Sequence, residues 1–155
     1  MNIVSDSVNK TRAFGALIAR HARPGDIALL FGQLGSGKTV LTKGMAQGLG
    51  IKKDLIVSPT FVLLNQYIHT KVPLYHFDLY RLDVSQDILG LGYEEYLYGQ
   101  GVSVVEWADR LGPLMPKESL KIELAVRDAT SRSLKLAAQG KRSKEWLAAI
   151  QKDMA

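Results

Sequence analysis

Between an apolar run, Ile27-Ala28-Leu29-Leu30-Phe31, and a helix-compatible stretch from Lys38 lies Gly32-Gln33-Leu34-Gly35-Ser36-Gly37-Lys38-Thr39. This spacing, G-x-x-x-x-G-K-[ST], constrains the fold more than any other part of the chain. The apolar run does not alternate with polar residues, so it reads as a strand buried on both faces, as in a parallel sheet covered by helices. The glycines permit positive φ and let successive N–H groups turn toward one point. A helix opening near Gly37 adds unpaired amides and the positive end of its dipole at that point. The result is a cradle for an anion. Lys38 can reach the β- and γ-phosphates of a nucleoside triphosphate, and the Thr39 hydroxyl can ligate magnesium. In a chain of this composition the pattern arises by chance on the order of 1% of the time.

The remaining pattern is that of an α/β chain. Ser5-Asp6-Ser7 supplies caps for an amphipathic helix to about residue 22, with Phe14, Leu17 and Ile18 inward. The helix after the glycine-rich loop stops near Gly48-Leu49-Gly50. Residues 56–58 and 61–67 predict strands broken by Pro59, and residues 74–80 a strand antiparallel to the second of them. Short helices are expected at 85–89, 93–98 and 107–111, with a buried strand at 102–106 before the last. Residues 119–138 read as a hairpin and 141–154 as a terminal helix. The expected architecture is α/β: a single P-loop NTPase-type domain over residues 1–155, three-layer αβα with a central mixed β-sheet.

Composition narrows the classes. A chain of 155 residues buries roughly 68–70% of its unfolded surface and needs no staple to fold. It has no cysteine, which removes thiol catalysis and Cys-zinc sites. No secretory pattern is expected at Met1-Asn2-Ile3-Val4. The longest stretch without Asp, Glu, Lys or Arg, residues 55–70, is shorter than the roughly 18 apolar residues of a membrane span. The net charge of +5 conceals an uneven distribution. Residues 1–75 carry nine basic and three acidic groups, residues 76–110 two and seven, and residues 111–155 nine and five. Acid is therefore concentrated in one central block.

Phosphoryl transfer needs a carboxylate for the metal and a group to orient the attacking water. Two members of the acidic block sit where such groups belong, at the ends of apolar strands. Asp78 closes Leu74-Tyr75-His76-Phe77, and Glu106 closes Val102-Ser103-Val104-Val105. Structural pairing with Arg81 or Arg110 is the alternative for each. Ser58-Pro59-Thr60 offers hydroxyls on a rigid bend, suited either to closing on a γ-phosphate or to a simple capped turn. Trp107 either covers the site or buries its ring. His21, His69 and His76 have no metal-site spacing and read as surface or strand-packing residues.

Taken in order, these landmarks resemble the TsaE family of small P-loop ATPases of tRNA threonylcarbamoyladenosine biosynthesis. The resemblance runs from Thr11 through the glycine-rich loop, Ser58-Pro59-Thr60-Phe61 and Tyr75-His76-Phe77-Asp78-Leu79-Tyr80-Arg81. It continues in Gly92-Tyr93-Glu94-Glu95-Tyr96 and Val105-Glu106-Trp107. It implies a bacterial cytoplasmic ATPase that uses ATP/ADP and Mg²⁺ and works with the TsaB–TsaD heterodimer, touching tRNA only through that complex and neither membrane nor DNA. By similarity, Thr39 and Glu106 hold Mg²⁺, Asp78 supports the metal or the water, and Lys38 serves the phosphates. Thr11, Gln33, Leu34, Gly35, Ser36, Gly37, Thr60, Trp107 and Arg132 would complete the nucleotide site. The ATP cycle would reset or remodel the complex rather than transfer the group.

The chain departs from the family pattern at Gln33, where an acidic residue is frequent, and at Ala108, where a proline is. Because the loop binds through its backbone, ATP binding should survive the first change. Two other classes fit parts of the sequence. A small-molecule P-loop kinase shares the loop but usually carries an arginine-bearing helical lid, and no such insertion is visible. A nucleotide-regulated RNA-binding module would use the basic ends, but basic and aromatic residues do not interleave there.

Overall fold

Seven strands form one mixed sheet in the computed structural model, which describes residues 1–59, 63–82 and 85–155. The chain order is β1 (Asn2–Ser5), α1 (Val8–Arg20), β2 (Ile27–Phe31), α2 (Lys38–Gly48), β3 (Leu64–Tyr67), β4 (Leu74–Asp78), α3 (Ser85–Leu89) and α4 (Tyr93–Leu97). Then come β5 (Val102–Glu106), β6 (Ser119–Val126), β7 (Arg132–Gln139) and α5 (Lys141–Met154). Across the sheet the order is β1-β7-β6-β2-β5-β4-β3. β6, β2, β5 and β4 form a parallel centre, and antiparallel ladders add β3 at one edge and β7 and β1 at the other. The expected α/β class with a mixed sheet is what the structure shows.

Why β2 reads as uninterrupted apolar is now plain. Its residues alternate between two cores, one on each face of the sheet. Ala28 and Leu30 pack with Ile18 of α1, Leu41 and Met45 of α2, and Trp146 and Ile150 of α5. Ile27 and Leu29 pack on the other face with Ile88 of α3, Tyr93 and Leu97 of α4, and Leu111. Helices thus cover both faces. α5 is tied down further by Trp146, whose indole N–H donates to the Ile18 carbonyl at 2.9 Å.

Two local expectations are corrected. Residues 56–58 form no strand. Val57 is held against β3 by side chains: its N–H donates to the Tyr67 hydroxyl at 3.1 Å, and its carbonyl accepts from Asn65 Nδ2 at 3.0 Å. Side-chain bonds satisfy the backbone there, so no ladder extends. Of the strand expected at 61–67 the structure shows β3, while residues 61 and 62 lie outside the described residues. The short helix expected at 107–111 is present as a 3₁₀ helix over Ala108–Leu114, with a reversal at Gly112 (φ 49°, ψ −121°). The N-terminal strand β1 carries no legible sequence signal; four residues with two inward-facing positions are too few for periodicity to register.

α1 and α2 cross at unusually close range, and glycine makes this possible. A Cβ on Gly44 would lie 2.0 Å from the Arg12 carbonyl oxygen, and one on Gly15 would lie 2.2 Å from the Leu41 carbonyl oxygen. Both obstacles are backbone atoms, so neither can swing aside. Because α2 begins at the glycine-rich loop, this contact also fixes the loop against the sheet. Gly44→Ala is expected to lower unfolding free energy by about 1–3 kcal/mol through overpacking, even though alanine is the better helix former by about 1 kcal/mol. Urea denaturation measures it; a Gly44→Ala protein as stable as the parent would show that the helices separate freely.

Candidate functional site

The glycine-rich loop leaves the C-terminal end of β2 and enters α2. Gly37, the residue before the helix, has φ 102° and ψ 13°, a left-handed conformation open to glycine at little cost. Gly32 is required for a different reason: a Cβ there would meet the Leu124 carbonyl oxygen at 2.4 Å. The loop therefore curls tightly over the end of the sheet. Lys38 points back into it, its Nζ donating to the carbonyls of Gly32 at 2.6 Å and Gln33 at 2.9 Å, with Ser36 Oγ at 3.4 Å. Its ammonium also stands 3.9 Å from the centre of the Trp107 ring. Burial lowers the Lys38 pKa from its ordinary value, against the opposing pull of Glu106, Asp78 and Asp109.

Strand register brings the two carboxylates together. β5 lies between β2 and β4, pairing Glu106 with Leu30 on one side and with Asp78 on the other. All three residues sit at the C-terminal ends of parallel strands, next to the loop that leaves β2. Glu106 is buried and held at both oxygens: Thr39 Oγ1 donates to Oε2 at 3.0 Å, and His76 Nε2 donates to Oε1 at 2.7 Å. Asp78 accepts the Tyr80 N–H through Oδ1 at 3.0 Å. Burial raises the Asp78 pKa, and the neighbouring Glu106 adds to the rise, while the Tyr80 amide, His76 and Lys38 oppose it. Among the described residues neither carboxylate pairs with an arginine. Arg110 instead reaches the Leu82 carbonyl at 3.2 Å.

A cleft of about 400 Å³ opens over this floor. Its lining includes Thr11, Leu34, Gly35, Gly37, Lys38, Thr39, Ser58, Asp78, Glu106, Trp107 and Arg132. Thr11 faces it from α1, with its hydroxyl 2.8 Å from that of Ser5 in β1. Arg132 stands on the rim, where Nη2 donates to the Gly35 carbonyl at 3.1 Å. Gln33 contributes its carbonyl to Lys38 and Ser36 is buried beneath the loop; neither lines the cleft. Leu34 is 75% exposed at the mouth. Thr60 lies outside the described residues. The chemistry that fits is a phosphate chain along the loop and a hard divalent cation by the hydroxyl and carboxylate oxygens. Magnesium takes one or two carboxylates together with phosphate oxygens, so the donor pair Thr39 and Glu106, with Asp78 beside it, suits that ion.

Sequence reading missed the place of His76 and the backbone conformation of Trp107. His76 is neither a surface residue nor mere packing: it is buried and bonded to Glu106. Its position two residues before Asp78 on the same strand was the available signal, because alternation puts both on one face. Trp107 adopts φ 57° and ψ 44°, the left-handed region, which costs a bulky residue about 1–2 kcal/mol. That turn lays its ring across Lys38 and against Tyr80, with ring centres 4.8 Å apart.

Comparison with known proteins gives the family and the fold. The family model described as "Threonylcarbamoyl adenosine biosynthesis protein TsaE" matches residues 5–134. The tRNA threonylcarbamoyladenosine biosynthesis protein TsaE of Bacillus subtilis (strain 168) is 42% identical over 133 residues, covering 86% of this chain and 82% of its own. Its counterpart in Treponema pallidum (strain Nichols) is 39% identical over 137 residues, covering 88% of this chain and all of its own. Among solved structures, Bacillus subtilis YdiB superposes with a TM-score of 0.85 at 34% identity, covering 100% of this chain and 96% of that one. With the matched region spanning the loop, both acidic strand ends and the floor between them, the chain belongs to the TsaE family of threonylcarbamoyl adenosine biosynthesis.

Proposed function

We propose that the cleft binds ATP with Mg²⁺ and hydrolyses the nucleotide, and that this cycle serves tRNA threonylcarbamoyladenosine synthesis in the cytoplasm through a TsaB–TsaD heterodimer. The observation that carries the reading is the convergence, on one cleft, of a glycine-rich loop at a helix N-terminus, Lys38, Thr39 and two buried carboxylates. Bound magnesium would supply positive charge at the phosphate oxygens. Thr39 and Glu106 are the residues to hold it.

The chain's own groups divide the remaining work. The loop amides and Lys38 hold the phosphates; Lys38 exchanges its bonds to the Gly32 and Gln33 carbonyls for phosphate oxygens, and the added negative charge favours its ammonium form. With both Glu106 oxygens engaged, Asp78 is the carboxylate that orients the attacking water, through Oδ2 while Oδ1 stays on the Tyr80 amide. Thr11, Leu34 and Arg132 are placed to border the rest of the nucleotide. Nearly the whole chain builds this one site, so the cycle would act on partner proteins: it would reset or remodel the TsaB–TsaD complex, with tRNA held by that complex.

Lys38→Ala and Glu106→Gln should each lower ATP hydrolysis by the reconstituted complex by about 10²–10³-fold, as loss of a group stabilising transition-state charge does. Phosphate release from labelled ATP measures it. Wild-type turnover in both variants would overturn the mechanism, and label appearing on a metabolite would replace it with a kinase.

A second expectation follows from Asp78. Its pKa in the folded chain lies above the ordinary 3.8, so the native state holds the extra proton and stability falls as pH rises through that window. Asp78→Asn should therefore melt at a higher temperature than the parent at pH 7, by a margin that shrinks as pH falls toward 3.8. Identical melting temperatures at every pH would show that the buried carboxylate carries no such cost.

A further inference from the structure

His76 is a buried polar group that the proposed mechanism leaves without a task. It sits in the middle of β4, 1% exposed, and does not line the cleft, so it touches neither nucleotide nor water there. Its register partner on β5 is Val104, and the next inward pair on the same face is Asp78 and Glu106. From one step below the floor its ring reaches up to Glu106. A carboxylate only accepts, so Nε2 carries the hydrogen in the 2.7 Å bond to Oε1. Nδ1 is buried with no hydrogen-bond partner among the described residues. Leaving it unsatisfied is a cost that a leucine of similar size would avoid. What the imidazole supplies in return is the single bond to Glu106.

That bond decides where Glu106 points. A glutamate side chain has three rotatable torsions, and burial alone leaves its carboxylate able to turn. With Oε1 fixed by His76 from below, Oε2 is the oxygen directed at Thr39 Oγ1, 3.0 Å away. Groups that hold a metal-binding carboxylate from behind in this way commonly set the affinity of the site.

We infer that His76 is a positioning residue: it locks the Glu106 carboxylate so that Oε2 and the Thr39 hydroxyl present a preformed oxygen pair to the divalent cation that accompanies the nucleotide. This rests on the proposed Mg²⁺–nucleotide reading of the cleft.

Two substitutions separate the role from packing. The amide nitrogen of His76→Gln falls near the place of Nε2 and can still donate to Glu106, whereas His76→Asn is polar but too short. Displacement of a fluorescent ADP analogue by ADP, in EDTA and across a Mg²⁺ series, gives the nucleotide affinity without metal and the Mg²⁺ midpoint. The expected result is unchanged ADP affinity in EDTA for both variants, a midpoint raised about 10-fold in His76→Asn, and a midpoint near that of the parent in His76→Gln. Equal midpoints in the two variants, or ADP affinity in EDTA lost along with the fold, would overturn the inference while leaving the cleft's assignment standing. A parent protein whose ADP binding ignores Mg²⁺ would overturn both.

Discussion

Glu106 joins three parts of the molecule through two hydrogen bonds. One oxygen takes the Thr39 hydroxyl, on the first turn of the helix that follows the glycine-rich loop. The other takes the His76 ring, inside the neighbouring strand. A buried carboxylate without such bonds would be strongly unfavourable, so the loop, β5 and β4 are required to meet where they do. The parallel register of β4, β5 and β2 makes the meeting possible, because it sets the C-terminal ends of three strands level with the loop.

Around that point the structure holds groups in conditions that do not favour stability. Lys38 is a buried ammonium, and Asp78 a carboxylate beside another carboxylate. Trp107 occupies left-handed backbone. Each has a local offset: loop carbonyls and an aromatic face for Lys38, the Tyr80 amide for Asp78, ring contacts for Trp107. The surrounding frame compensates. A parallel centre buried on both faces and two helices packed through glycine supply rigidity that the site lacks by itself. Strain concentrated at a cleft, supported by a well-packed scaffold, is the arrangement expected of a functional site.

The uneven charge of the chain acquires a meaning from the same geometry. Several of the central block's acids face Lys38: Glu106, Asp78 and Asp109 all act on its ammonium. The basic segments lie on either side of that block in sequence, yet Arg132 from the second of them returns to the cleft rim and bonds Gly35. A positive excess counted over the whole chain would have suggested nucleic acid; its distribution instead sets acids of the central block around Lys38.

Much of this was legible before any fold was known. The loop announces itself by spacing, β2 by an uninterrupted apolar run, β5 by a run broken only by Ser103, and Asp78 and Glu106 by standing at the ends of mainly apolar strands. β1 was not legible, because four residues at a sheet edge give periodicity too little length. Nor was the path of residues 56–58, whose backbone is satisfied by the side chains of Asn65 and Tyr67 rather than by a ladder. Local pattern therefore determined the glycine-rich loop and the strands that carry the acids. Only the tertiary structure decided that His76 faces Glu106, that Trp107 turns onto Lys38, and that Arg132 reaches the loop. Those contacts depend on register between strands distant in sequence and on one left-handed residue, and neither is encoded in the spacing of any single segment.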